Sequence, residues 1–239
     1  MQRESFPQTS WTLIARAGAR SAEGQAALSA LCSAYWFPVY AFIRRRGVTP
    51  DDAHDCTQSF FARLLERNDI AKADRAHGSK FRSWLLRCVN NHLANEYAHA
   101  NAQRRKPPEG IQSLSTNDAE DRYAFEPSHE LTPERLYDRQ FALSLLSRVM
   151  DQLRAKYAEA GRMHIFEALK GCMYEELDYE QLTAVLGMNS VGAVRKAAFD
   201  LRKHYRNLLR AEVANTVDST DEAVVDRELL HLFESISDG

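Results

Sequence analysis

The chain has 239 residues, with 31 Lys and Arg against 33 Asp and Glu, 44% hydrophobic and 27% charged residues; that mixture fills compact cores and excludes disorder throughout. Ten Gly and seven Pro leave little punctuation, which argues against many short strands and for long helices. No apolar run approaches the roughly 18 residues of a membrane span, and Met1-Gln2-Arg3-Glu4 leads into no apolar secretory core.

The helical pattern starts near Ser21 and runs through Tyr35-Trp36-Phe37 to Arg46, with Pro38 marking a kink or break. Gly47-Val48-Thr49-Pro50-Asp51 reads as a stop followed by a start, because Thr49 can cap and Pro50 suits the first helical position. The next helix, about Pro50 to Arg67, carries Cys56, Phe60, Phe61, Leu64 and Leu65 on one broad face. Asn68 to Ser79 reads as a loop, and a long helix follows from Lys80 to about Arg105. Pro107-Pro108-Glu109-Gly110 ends it, and the polar, aperiodic stretch beyond predicts a flexible linker over 106–132. Thr132-Pro133-Glu134 restarts helix, and further helices are expected at about 162–177, 179–186, 190–213 and Glu222 to Ile236. The fold class expected is all-α, in two small domains. Cys32, Cys56, Cys88 and Cys172 contain no C-x-x-C pair and read as reduced core thiols, so neither metal nor cofactor is expected.

The near-neutral total hides a strong asymmetry. Between 75 and 106 the bases Arg75, Lys80, Arg82, Arg87, Arg104, Arg105 and Lys106 face the single acid Glu96. Between 190 and 210, Arg195, Lys196, Arg202, Lys203, Arg206 and Arg210 face Asp200. From 211 onward Glu212, Asp218, Asp221, Glu222, Asp226, Glu228, Glu234 and Asp238 face only Arg227. Two basic blocks and an acidic tail point to a polyanion partner.

Tyr179 to Met188 reads as a short amphipathic helix ended by Gly187, which suits a left-handed turn; Asn189 or Ser190 then caps the following helix. A DNA-reading helix-turn-helix is built this way. At about 100° per residue, Val194, Ala198, Leu201, Tyr205 and Leu208 form an apolar stripe. Arg195, Lys196, Phe199, Arg202, Lys203, Arg206 and Arg210 fall on the opposite arc, a pattern suited to the major groove. In the long helix from Lys80, Phe81, Leu85, Cys88 and His92 share a core face, with His92 a satisfied core histidine; Ser83, Arg87, Asn90 and Asn91 project elsewhere. Arg, Asn and aromatic side chains along one helix suit unpaired or melting DNA.

The order of a helix bearing Asp51-Asp52-Ala53-His54-Asp55-Cys56-Thr57-Gln58-Ser59-Phe60-Phe61, a loop, Phe81-Arg82-Ser83-Trp84-Leu85, a polar linker and a helix-turn-helix resembles bacterial sigma factors of the extracytoplasmic-function group. Within it, the chain is similar to the subgroup carrying a D-x-T-Q-x-F-F run. The resemblance implies a sigma-2-like domain over 9–105, a linker over 106–132, a sigma-4-like domain over 133–213 and an acidic tail over 214–239. It further implies that the protein binds core RNA polymerase and directs it to promoters. Asp51, Asp55, Gln58 and Arg63 would face the polymerase clamp; Arg82, Trp84, Arg87, Asn90, Asn91, Arg104 and Arg105 would engage the minus-ten element. Arg195, Lys196, Phe199, Arg202, Lys203 and Arg206 would read the minus-thirty-five element. His54 and Ser59 stand where relatives usually carry glutamates, Asp200 replaces a commonly basic position, and the turn between Gly187 and Gly192 is one residue longer than usual.

The missing carboxylates suggest control by a Ser/Thr kinase, since a phosphate on Thr57 would add about −1.5 to −2 of charge. Against this, Thr57 falls on the apolar arc among Cys56, Phe60, Phe61 and Leu64. The alternative reading of the whole chain is a stand-alone helix-turn-helix regulator, which would need a dimerisation surface and a palindromic site. Catalysis is not expected: the chain has no Gly-rich phosphate loop, no H-E-x-x-H and no Cys/His cluster at metal spacing.

Overall fold

The computed structural model describes residues 22–66, 81–100, 116–124, 131–217 and 219–237. Nine α-helices are found among them, and no strand: α1 (Ala22–Arg45), α2 (Pro50–Glu66), α3 (Phe81–Ala100), α4 (Thr116–Ala124), α5 (Pro133–Glu159), α6 (Met163–Leu169), α7 (Tyr179–Val185), α8 (Val191–Val217) and α9 (Glu222–Ser237), with a 3₁₀ turn Lys170–Met173 after α6. The all-α expectation holds. No helix among the described residues is long and apolar enough to cross a membrane.

The chain divides into two compact units. One comprises residues up to Ser144 together with those from Val213 onward; the other is Leu145–Glu212. This differs from the boundaries expected above. Residues 133–144 and the acidic C-terminus belong with the first unit, so the second unit is an insertion between two parts of the first.

In the first unit α1 is the central element. Every residue from Ala34 to Ile43 is buried, including Pro38, through which the helix runs without a break. A helix apolar on all sides is stable only when neighbours cover every face. Tyr35 meets Phe81 of α3 at 5.2 Å and stacks on Phe141 of α5 at 4.9 Å, while Phe42 meets Tyr137 at 6.2 Å. Gly47 takes a left-handed φ of 84° between α1 and α2. Thr49 then caps α2, its hydroxyl accepting from the Asp52 amide at 3.3 Å and donating to the Asp52 carboxylate at 2.8 Å. Burial pushes the thiols of Cys32 and Cys56 up to about 12; Cys32 is buried, Cys56 half-buried.

The expected flexible linker is corrected in its middle: Thr116–Ala124 is the helix α4, docked on α1. Ala119 is fully buried. Glu120 accepts hydrogen bonds from Tyr40 Oη at 2.5 Å and from Arg44 Nε and Nη2 at 2.6 and 3.1 Å, while Arg122 lies over the Phe37 ring at 3.8 Å. The Arg44 hydrogen bond, with Tyr40 assisting, holds the Glu120 carboxyl below the usual carboxylate range. Polar composition concealed this helix because its anchor is a nonlocal ion pair, not an apolar stripe.

The second unit is built on a core of Leu153, Tyr157, Phe166, Leu169, Cys172, Val194, Ala198 and Leu201. Asp178 caps α7, accepting from the amides of Glu180 and Gln181. Gly187 adopts φ 61°, where a side chain would be strained, and Ser190 caps α8 by accepting from the Ala193 amide at 3.2 Å.

Candidate nucleic-acid interface

In the first unit, α2 turns Ala53, Thr57, Phe60, Phe61 and Leu64 inward. Asp51, Asp52, Asp55 and Arg63 are thereby exposed and Gln58 half-buried, an outward acidic stripe at helical spacing. Thr57 is fully buried and its hydroxyl donates to the Ala53 carbonyl at 2.7 Å. The expected phosphorylation site is corrected on this point: no kinase reaches that hydroxyl while α2 is packed. The sequence position on the apolar arc had already signalled this.

On α3, Ser83, Arg87 and Asn91 are exposed, as is Asn95 one turn beyond Asn91. Asn90 is half-buried and donates to the Leu86 carbonyl at 3.0 Å; Trp84 is half-buried against Phe81, with ring centroids 5.4 Å apart. Arg104 and Arg105, and the expected 68–79 loop, lie outside the described residues. Arg82 requires a correction. It is only 5% exposed, ion-paired to Glu228 of α9 and, at 3.0 Å, to Asp138 of α5. Its guanidinium is committed inside the unit instead of facing solvent.

A cleft of about 180 Å³ opens between α2 and α3, with Phe60 and Leu64 as its apolar floor and Arg63, Asn91 and Asn95 at its rim. Arg63 is anchored by Glu96 at 3.0 Å and approaches His92 Nδ1 at 3.5 Å. Because Arg63 is a donor only, His92 Nδ1 accepts and Nε2 donates to Ser59 Oγ at 3.1 Å; Ser59 in turn donates to the Cys56 carbonyl. His92 is thus the satisfied core histidine expected. Asn95 was missed by the sequence reading, although its i, i+4 relation to Asn91 was available.

In the second unit, α8 buries Val194, Ala198 and Leu201 and half-buries Tyr205 and Leu208, the stripe read from the sequence. Arg195, Lys196, Lys203 and Arg206 are exposed, and Phe199 is 56% exposed among them. Arg195 lies 6.0 Å from the Tyr179 ring of α7. Arg202 departs from its neighbours and is a further correction: Nε and Nη2 donate to the Cys172 carbonyl at 3.0 and 2.9 Å. It ties α8 to the end of the 3₁₀ turn, so its role is to position the helix.

Residues 33–103 match the family model described as Sigma-70 region 2. The match supports a sigma-70 family sigma factor. No curated protein and no solved structure matches the chain. A region 2 implies a sigma factor role in transcription initiation, with core RNA polymerase and promoter DNA as partners. The matched segment covers α2 and α3 in full, and with them the acidic stripe, the cleft and the exposed Arg87, Asn91 and Asn95.

Proposed function

We propose that the protein is an extracytoplasmic-function type sigma factor that binds core polymerase and recognises promoters at two elements in the cytoplasm. The outward side chains of α2 (Asp51, Asp55 and Arg63, with half-buried Gln58) face the polymerase. The outward face of α3, with Arg87, Asn90 and Asn91, engages the minus-ten element. Helix α8 lies in the major groove of the minus-thirty-five element with Arg195, Lys196, Phe199, Lys203 and Arg206. The observation that carries this reading is the exposed cationic arc of α8, opposite a buried stripe and in a compact unit separate from region 2.

Kinase control through Thr57 is not needed by this reading; with its hydroxyl at zero exposure, it would require local opening of α2. The deciding experiment is a core-polymerase pull-down followed by in-vitro transcription on a genomic library with start-site mapping. Discrete start sites dependent on the protein are the expected result. A chain that ignores polymerase yet binds a palindromic duplex as a dimer is a stand-alone regulator, and the proposal fails.

A further inference from the structure

The C-terminal helix α9 is acidic: from 219 onward Asp221, Glu222, Asp226, Glu228, Glu234 and Asp238 stand against Arg227. It nevertheless belongs to the unit that carries region 2. Val225, Glu228 and Leu232 form its buried stripe at i, i+3, i+7 spacing. A carboxylate in the middle of a buried stripe is costly unless a cation meets it there. Arg82 does, and the two side chains are 2% and 5% exposed.

Two further contacts place α9 against α5: Arg139 donates to the Ile236 carbonyl at 2.7 Å, and His231 approaches Asp138 at 3.8 Å. Arg82 itself lies in the first turn of α3, which carries no acid of its own. The helix start therefore favours an external anion, and Glu228 supplies it from 146 residues away. A guanidinium fork donates to carboxylate and phosphate oxygens in the same geometry. Exposed Ser83 and Arg87 follow on the same helix.

We propose that Arg82 is an anion site shared in turn by Glu228 and a DNA phosphate, so that α9 acts as an intramolecular cover released when region 2 engages DNA. The inference rests on the sigma-factor reading for the identity of the anion. Docked α9 both occupies Arg82 and brings a net negative helix to the unit that carries the exposed face of α3. Undocking removes Glu228 and the rest of α9, and leaves Asp138 of α5, 3.0 Å from Arg82, as the carboxylate still beside it. Thr220 and Asp221, just before α9, are exposed, and Asp221 caps the helix by accepting from the Ala223 amide at 2.9 Å.

The test uses the full chain. Glu228→Gln keeps the shape of the side chain and removes its charge. Affinity of this variant for a single-stranded oligo-dT, measured by fluorescence anisotropy at low salt, is expected to rise by at least about five-fold, the lower end of typical coupling between sites. Adding Arg82→Gln should abolish the gain. In the unmodified protein, saturating oligo-dT should accelerate hydrogen exchange over 222–237, a readout that needs no variant to fold. Unchanged exchange there, an E228Q protein that binds no tighter, or a double variant that keeps the full gain overturns the proposal. Failure to bind core polymerase would sink the sigma-factor reading alone, because each of these measurements is made without polymerase.

Discussion

The two units treat their arginines in opposite ways. In the first, Arg44 and Arg82 are spent internally, one on Glu120 and Tyr40, the other on Glu228 and Asp138. In the second, Arg195, Lys196, Lys203 and Arg206 stay exposed, and among the six candidate reading residues of α8 only Arg202 is drawn inward, to the Cys172 carbonyl. The difference lies in the neighbours. In the first unit Glu120 of α4 and Glu228 of α9 meet these arginines, whereas α8 is backed by an apolar core. Arg44 and Arg82 thus hold the first unit together, whereas the exposed bases of α8 face outward.

Breaking the first unit's stitching should have the largest effect. Glu120→Ala removes the acceptor of Tyr40 and Arg44 at once, and hydrogen bonds to charged groups are worth about 1.5–3 kcal/mol each before the orphaned Tyr40 hydroxyl is considered. We expect a loss of about 3 kcal/mol in urea unfolding, with the second unit's near-ultraviolet signal melting separately and unchanged. Next comes the contrast between adjacent residues. Arg202→Ala should lower the second unit's stability by about 1–2 kcal/mol and weaken duplex binding only through that loss. Lys203→Ala should leave the melting curve in place and reduce the salt slope of DNA binding by about 1. Equal melting temperatures for the two variants would show that Arg202 holds the unit no more than Lys203 does.

Smaller effects sharpen it. Ser190→Ala removes the cap of α8 and should cost about 1 kcal/mol by thermal melting. The two units should also part company in acid. Burial lowers the pKa of His204, which contacts Tyr157 Oη at 3.3 Å, so the unfolded chain binds its proton first. The second unit's stability is then full above the ordinary histidine pKa of about 6.5 and falls as pH drops below it. The Glu120 carboxyl is also lowered, chiefly by its Arg44 hydrogen bond, so its contribution is full above an ordinary carboxylate pKa of about 4.3 and is lost as pH falls further, through its folded value. Unfolding followed between pH 7 and 3 should weaken the second unit first; the reverse order would show that His204 is not the responsible group.

What the sequence by itself determined was local. Helix starts at Thr49 and at Asn189 or Ser190, the left-handed turn at Gly187, the buried stripe of Val194, Ala198 and Leu201, and the core setting of His92 follow from spacing and capping chemistry, which act over a few residues; the structure then chose Ser190. The tertiary structure alone decided which polar groups are consumed. Arg82 and Glu228 are 146 residues apart, Arg44 and Glu120 are 76, and Arg202 and Cys172 are 30. No periodicity reports such pairings, because an ion pair is specified by where two chain segments meet and not by what flanks either one. The same reason explains α4, whose polar sequence reads as linker until Tyr40 and Arg44 give Glu120 a place to bind.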